Sequence, residues 1–117
     1  MIKNLNDSNF TQRGSSYYID DAKPTGALLM VKADWCGHCR RTLPILEDLS
    51  KKLGNSYPIY KLDSDTNPRI VAGLGVQGFP TIFYVGRDGK VGKRFNDDRT
   101  IPSFLNGICK EALVCKK

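Results

Sequence analysis

The chain has 117 residues, of which 40% are hydrophobic and 26% are charged, and its formal net charge is +6 at pH 7. This length predicts a single domain that can bury a core without disulfide staples, and this composition excludes an intrinsically disordered chain. The basic residues are scattered in ones and twos, so no direct nucleic-acid role is expected.

The sequence contains no candidate membrane span. Its longest apolar run, 27–31, is far too short to cross a bilayer, and residues 1–4 are not followed by the apolar stretch of a secretory signal. We therefore expect a soluble, cytoplasmic protein. A secretory compartment stays open as the alternative if the chain has been trimmed.

Residues 1–26 give the least certain pattern. They predict a short strand at 2–5, a helix start at 7–10, an extended piece at 17–19 and a turn at 23–26. The apolar run 27–31 then predicts a strand that is buried on both faces of a sheet. This strand delivers Trp35 and Cys36 at its carboxyl end, which is where the active sites of open α/β sheets form.

The segment after Cys36 has the pattern of an amphipathic helix. Apolar side chains recur at helical spacing at Leu43, Leu46, Leu49 and Leu53. The pattern predicts a helix over 37–53 that ends before Gly54 and is kinked at Pro44.

The rest of the chain alternates between strand and helix patterns. It predicts a strand at 57–62, a helix at 68–72, a strand at 81–85, a hairpin turn at 87–90 and a strand at 90–95. Thr100 then caps a final helix. The predicted buried stripe of that helix is Phe104, Leu105, Ile108 and Leu113.

The sequence Trp35-Cys36-Gly37-His38-Cys39 places two thiols one helical turn apart, a spacing that allows a disulfide to open and close. Cys36 lies at the start of the predicted helix, where the helix dipole and free backbone N–H groups stabilise a thiolate. We therefore predict that Cys36 is the nucleophile and that Cys39, one turn further in, is the resolving thiol.

His38 is the only histidine of the chain. In its protonated form it would favour the Cys36 thiolate and make the disulfide a stronger oxidant. A zinc site is the alternative, but its remaining ligands would have to be His38, Cys109 and Cys115, so no metal is expected. Covalent haem attachment is excluded because Arg40 follows the second cysteine of the pair.

The order of elements, with the Cys-Gly-His-Cys motif after the first central strand, resembles the thioredoxin fold over essentially the whole chain. The motif is similar to that of protein disulfide isomerase domains. The resemblance implies an α/β fold with a central mixed β-sheet flanked by α-helices, formed by residues 1–117 as one thioredoxin-like domain. It also implies a thiol–disulfide oxidoreductase that needs no cofactor.

The resemblance also assigns roles to other residues. Pro80, 44 residues after Cys36, matches the family's cis-proline that faces the cysteines, and with Phe79 it would bind an extended substrate. Trp35 matches the tryptophan that shields the nucleophile and contacts substrate, with core packing as its alternative. Arg99 matches an arginine that lowers the pKa of the resolving cysteine, with a solvated surface side chain as the alternative.

The chain departs from the family at the proton acceptor. The family has a buried acid six residues before the nucleophile, and Met30 stands there in this chain. Lys61 matches the lysine that accompanies this acid, so burial would make it lose its charge or extend to water. Asp34 is a substitute acid whose expected exposure argues against that role. The residues expected to tune the pKa values of the two thiols are therefore Gly37, His38, Lys61 and Arg99.

Cys109 and Cys115 form a second pair six residues apart. A continuous helix would hold their α-carbons about 9 Å apart, too far for a bridge unless the helix ends between them. The favoured interpretation is that Cys109 packs as a small apolar residue, while Cys115, beside Lys116 and Lys117, is exposed and able to link two chains. A bridge between the two cysteines and a redox role are the alternatives.

We therefore predict an enzyme that reduces, forms or isomerises protein disulfides through Cys36 and Cys39. Its partners would be thiol- or disulfide-containing proteins, with a reductase or glutathione for recycling, and it would be a monomer unless Cys115 links a dimer. The alternative function is a binding or chaperone module that uses Trp35, Phe79 and Pro80 without turnover.

Overall fold

A computed structural model describes residues 2–115 of the chain. Its strands are β1 (Lys3–Leu5), β2 (Phe10–Arg13), β3 (Ser16–Ile19), β4 (Ala27–Lys32), β5 (Ile59–Asp63), β6 (Thr81–Val85) and β7 (Val91–Arg94). Its α-helices are α1 (Gly37–Leu53), α2 (Pro68–Gly73) and α3 (Ile101–Ala112). Single 3-10 turns occupy Asp7–Asn9, Asp20–Ala22 and Gly54–Ser56.

Five of the strands form one mixed sheet in the order β1-β5-β4-β6-β7. The β1–β5 and β5–β4 pairs are parallel, whereas β4–β6 and β6–β7 are antiparallel. A parallel neighbour requires a crossover connection, and α1 supplies it between β4 and β5. The predicted central mixed sheet flanked by helices is confirmed.

The central strand β4 is buried on both faces, as its continuous apolar run predicts. Leu28 and Met30 pack in one core cluster with residues of α1 and α3. Leu29 and Val31 alternate with them and pack in a second cluster with residues of α2. All four side chains are 0% exposed. This rigid centre fixes the position of the segment that follows β4 and carries the cysteines.

The first helix coincides with its predicted range, 37–53. Cys36 is its N-cap, Pro44 lies inside it, and Gly54 ends it with φ 56°. Positive φ is a conformation that glycine adopts without strain, which explains why the helix stops there. Along residues 2–115, no helix is long and apolar enough to cross a membrane.

The N-terminal region differs from its prediction in one element. The strand at β1, the helical turn at Asp7–Asn9 and the extended piece at β3 are present, but β2 was not predicted. It pairs with β3 as an antiparallel hairpin across Gly14, whose φ is 61°. The Ile19 N–H donates to the Gly89 carbonyl at 2.7 Å, which attaches the hairpin to the turn between β6 and β7.

The C-terminal end corrects two expectations. The last helix stops at Ala112, and Leu113 adopts the left-handed conformation with φ 60°, so Leu113 is 72% exposed and does not belong to the buried stripe. Because the helix ends between them, Cys109 and Cys115 lie with their α-carbons 4.4 Å apart and form a disulfide. The favoured interpretation of two unlinked cysteines is therefore wrong, and the bridged alternative is right. Lys116 and Lys117 lie outside the described residues.

Candidate active site

The two cysteines of the motif lie at the junction of β4 and α1, where Cys36 directly precedes α1 and Cys39 lies in its first turn. The Cys36 N–H donates to the Ala33 carbonyl at 3.1 Å, which fixes the turn before the helix. As N-cap of α1, the Cys36 sulfur accepts a hydrogen bond from the Cys39 N–H at 3.2 Å. The sulfur of Cys36 therefore receives the donor that the first turn of a helix leaves free.

The surroundings of Cys36 favour its thiolate. Burial opposes ionisation, but the Cys39 thiol, the backbone N–H groups of Cys39 and His38, and the Arg99 guanidinium together hold the pKa of Cys36 below its ordinary value. The Cys36 Sγ also lies 3.6 Å from the Phe79 carbonyl oxygen, to which its protonated form donates. A thiolate at this position is the nucleophilic form of cysteine.

Cys39 has the opposite character. It is 1% exposed and packs in the core cluster of α1 and α3. Burial, followed by the hydrogen bond to Cys36 and the charge of the Cys36 thiolate, raises the pKa of Cys39 to about 11, although Arg99 acts in the other direction. Cys39 therefore stays protonated while Cys36 is ionised, which is the difference expected between an attacking thiol and a resolving thiol.

The structure places the two residues between the cysteines in the first turn of α1. His38 is exposed, its Nδ1 lies 2.7 Å from Arg41 Nη2, and its backbone N–H stabilises the Cys36 thiolate. In this arrangement Nδ1 accepts a hydrogen bond from Arg41. A Cβ on Gly37 would meet only Arg41 Nη1, at an ordinary contact distance of 3.6 Å. Gly37 is therefore not required by space.

Two aromatic residues and a proline form a ledge beside the nucleophile. The Phe79–Pro80 peptide bond is cis, as the resemblance implies. Trp35 is 65% exposed, and its ring meets that of Phe79 edge to face, with the centroids 5.6 Å apart. The core-packing alternative for Trp35 is therefore wrong. We call Trp35, Phe79 and Pro80 the aromatic ledge.

Among the residues that the structure describes, no carboxylate takes the place of the family's buried acid. Met30 is 0% exposed in the cluster that holds Cys39, and Lys61 pairs with it across β4 and β5. Asp34 is largely exposed and accepts a hydrogen bond from Lys32 Nζ at 2.6 Å, which lowers its pKa. A lowered pKa makes a carboxylate a weaker base, so Asp34 is a poor substitute proton acceptor.

Lys32 is a residue of this site that the sequence analysis missed. Side chains alternate along a strand, so Lys32 follows Leu28 and Met30 on the face that carries Cys39. Its side chain is 13% exposed. The hydrogen bond to Asp34 raises the pKa of Lys32, and Asp63 and Cys39 add to the rise. The alternation of 27–31, continued by one residue, would have placed this cation beside the resolving thiol.

Arg99 lies at the edge of the site. It is exposed, yet its charge favours the thiolates of both Cys36 and Cys39. Together with Pro80 it lines an open cleft of about 820 Å³ between β6, β7 and α3. The zinc alternative loses two of its five candidate ligands, because Cys109 and Cys115 are bonded to each other, and the three that remain are fewer than the four of a structural zinc site.

The fold and the site together define a protein of the thioredoxin-fold class with a paired-cysteine site at a helix N-terminus and a cis-proline beside it. A family model described as "Thioredoxin" matches residues 2–110. The chain therefore belongs to the thioredoxin family.

Individual relatives agree with this assignment. Protein disulfide-isomerase 1 of Dictyostelium discoideum is 33% identical over 117 residues, which cover 97% of this chain and 31% of the relative. Thioredoxin of Borreliella burgdorferi is 45% identical over 64 residues, which cover 55% of each protein. This chain thus spans about a third of the first relative and about half of the second. The first relative is named as a disulfide isomerase and the second as a thioredoxin.

A solved structure supports the fold. The X-ray structure of Fasciola hepatica thioredoxin superposes with a TM-score of 0.67 at 27% sequence identity. The superposition covers 78% of this chain and 85% of that one. The superposed part of the chain thus has a known architecture.

Proposed function

We propose that this chain is a protein-disulfide oxidoreductase that reduces, forms or isomerises protein disulfides through Cys36 and Cys39. The observation that carries the proposal is the difference between the two thiols. The pKa of Cys36 is held below its ordinary value at the helix N-terminus, while burial raises the pKa of Cys39 to about 11. Because of this difference, Cys36 reacts first and Cys39 reacts second.

The reaction proceeds in two exchanges. The Cys36 thiolate attacks one sulfur of a substrate disulfide, the substrate S–S bond breaks, and the other substrate sulfur leaves as a thiolate. Cys39 then loses its proton to solvent and attacks Cys36 Sγ, which releases the second substrate thiolate and closes the Cys36–Cys39 disulfide. The reverse sequence donates a disulfide to a substrate dithiol.

The aromatic ledge supplies the substrate contact. Trp35 offers an exposed apolar face next to the nucleophile, and the Phe79 carbonyl lies 3.6 Å from Cys36 Sγ. An extended chain held against Phe79 and Pro80 would bring its disulfide to the Cys36 sulfur. The substrates are therefore thiol- or disulfide-containing proteins, and a reductase or glutathione recycles the pair. Residues 1–117 form the thioredoxin-like unit that does this.

Reduction of insulin disulfides by dithiothreitol tests the proposal. In a Cys109→Ser/Cys115→Ser background, only the motif cysteines remain, and the rate of insulin precipitation should stay within about twofold of the unmodified chain. Adding Cys36→Ser should lower the rate to that of dithiothreitol alone, because the remaining thiol, Cys39, is 1% exposed and its pKa is raised to about 11. Full activity of the Cys36→Ser variant would overturn the proposal.

A binding module without turnover is the second candidate, and the 65% exposure of Trp35 favours it. A large exposed aromatic ring is an apolar contact for an unfolded chain whether or not exchange follows. Suppression of the aggregation of a cysteine-free client separates the two functions. Binding alone predicts that Cys36→Ser keeps this activity and Trp35→Ser loses it.

A further inference from the structure

The second cysteine pair lies at a helix end of the opposite polarity. Cys109 is in the last turn of α3, and Leu113 turns the chain so that Cys115 comes back to it. A helix C-terminus carries partial negative charge from its free carbonyl groups. A thiolate at Cys109 is therefore disfavoured, whereas a thiolate at Cys36 is favoured by the N-terminus of α1.

This difference gives the exchange between the two pairs a direction. A disulfide is the stronger oxidant when the thiolate of its reduced form is the more stabilised one. The Cys36–Cys39 disulfide should therefore take electrons from a Cys109/Cys115 dithiol. The two pairs of one chain cannot meet. Arg99, whose charge acts on Cys36, lies just before the N-cap of α3, whereas Cys109 lies in the last turn of that helix. The Cys109/Cys115 dithiol that receives the disulfide therefore belongs to a second copy of the chain.

Accessibility identifies the sulfurs that can meet. Cys115 is exposed and Cys109 is half-buried, so Cys115 is the sulfur open to a partner. Among residues 2–115, the large hydrophobic side chains that are exposed are Trp35 and Leu113, at 65% and 72%. Trp35 adjoins Cys36, and Leu113 lies two residues before Cys115. Contact between these two side chains would bury apolar surface and bring Cys36 towards Cys115.

We propose that the oxidised active site of one copy forms the Cys109–Cys115 disulfide of a second copy. The Cys115 thiolate attacks Cys36 Sγ, the Cys36–Cys39 bond breaks, and Cys39 leaves as a thiolate that takes a proton. The Cys109 thiolate then attacks Cys115 Sγ of the mixed disulfide and releases the Cys36 thiolate. Two electrons pass from the second copy to the first, and no other oxidant is needed.

The proposal rests on the oxidoreductase function and is tested with two full-length variants. The disulfide donor, Cys109→Ser/Cys115→Ser, is oxidised to the Cys36–Cys39 disulfide and separated from the oxidising reagent. The acceptor, Cys36→Ser/Cys39→Ser, is labelled with ¹⁵N and reduced. The two are mixed without oxygen or glutathione, quenched with acid, alkylated and weighed by mass spectrometry. At equilibrium, the reduced donor and the oxidised acceptor should exceed the oxidised donor and the reduced acceptor by about tenfold.

Further variants show the route. A donor that also carries Cys39→Ser, with Cys36 activated as a mixed disulfide with thionitrobenzoate, should form a Cys36–Cys115 linkage with a reduced acceptor that also carries Cys109→Ser, and tryptic mapping identifies this linkage. The matched acceptor that carries Cys115→Ser instead should form no linkage, because Cys109 is half-buried. A Leu113→Ser acceptor should be oxidised by the donor about tenfold more slowly, while its oxidation by glutathione disulfide stays unchanged.

The outcomes separate this proposal from the function on which it rests. The proposal is overturned if no disulfide passes to the acceptor, or if the equilibrium favours a reduced Cys109/Cys115 pair. It is also overturned if the acceptor is oxidised equally fast by the donor and by glutathione disulfide at the same concentration. The reduced donor is assayed with insulin in parallel. If the donor reduces insulin and leaves the acceptor unchanged, only this proposal fails, and if it does neither, the proposed function fails.

Discussion

The two cysteine pairs of this chain differ in the end of the helix at which they lie. Cys36 caps the N-terminus of α1 with its sulfur 3.2 Å from a backbone N–H. Cys109 lies in the last turn of α3, where a helix leaves its carbonyl groups free instead, and its partner Cys115 follows the left-handed Leu113 by two residues. The same side chain is thus proposed as a nucleophile at one helix end and is half of a bridge at the other.

The comparison also separates burial from reactivity. Cys39 is the more buried member of its pair. It is a protonated thiol at neutral pH, because its pKa is raised to about 11. Cys109 is the more buried member of the second pair and is already bonded. If both proposals hold, the more exposed cysteine of each pair exchanges first with a partner, and the helix end at which the pair lies determines the direction of exchange.

The largest expected effect comes from removing the resolving thiol. Cys39→Ser leaves Cys36 able to attack but unable to release its substrate, so insulin reduction should fall by about a hundredfold or more. Mixed disulfides with insulin should accumulate and appear on non-reducing gels. The matched change in the other pair, Cys109→Ser, should alter the insulin rate by less than about twofold. Equal losses in the two variants would contradict the assignment of roles.

The second pair should instead contribute to stability. A bridge between residues six apart restricts the unfolded chain, so Cys115→Ser should lower the free energy of unfolding by about 2 kcal/mol. Urea denaturation followed by circular dichroism measures this change. Reducing the unmodified chain should lower its stability by the same amount, and reducing the Cys115→Ser variant should change little. An unchanged midpoint in Cys115→Ser would show that the bridge does not constrain the chain.

Met30 allows the proton transfer of the first pair to be changed alone. Met30→Glu places a carboxylate beside Lys61 on the face that carries Cys39, where it can accept the Cys39 proton. Release of a model substrate from its mixed disulfide, followed by stopped flow, should become about tenfold faster. Met30→Gln is the control, since it has a similar shape but no base. If Met30→Glu leaves this step unchanged, the missing acid does not limit release.

Much of this comparison could be predicted from the sequence, because local patterns set α1 and its N-cap. The motif, the apolar spacing after Cys36 and Gly54 together predicted the helix range as the structure has it. The bridge at Cys109 was not favoured, because whether α3 continues to Cys115 depends on Leu113, and leucine seldom adopts a left-handed conformation. The leucine's apolar character indicated a longer helix.

Lys32 and β2 were missed for different reasons. Lys32 lies one residue past the apolar run, so its place beside Cys39 depends on alternation and on the register with β5 rather than on a motif. The strand β2 is polar and mostly exposed, so no hydrophobic pattern indicates it. Gly14 and Ser15, between Thr11-Gln12 and Tyr17-Tyr18, were the available signal of a hairpin turn.

The smallest expected effect concerns Arg99, whose charge acts on the first pair only. Arg99 favours the Cys36 thiolate, so Arg99→Met should raise the pKa of Cys36. Below that pKa a higher value means less thiolate, and alkylation of Cys36 by iodoacetamide near neutral pH should slow about threefold. The full pH profile should shift upwards, and the rate at high pH should stay the same.

The second pair supplies the control for this measurement. In a reduced Cys36→Ser/Cys39→Ser/Cys109→Ser chain, alkylation of Cys115 should not respond to Arg99→Met, because Cys115 lies beyond the other end of α3. Arg99 is exposed, so 1 M salt should screen its charge and remove most of the difference at Cys36. A shift that survives high salt, or that also occurs at Cys115, would mean that Arg99 acts by altering the fold rather than by its charge.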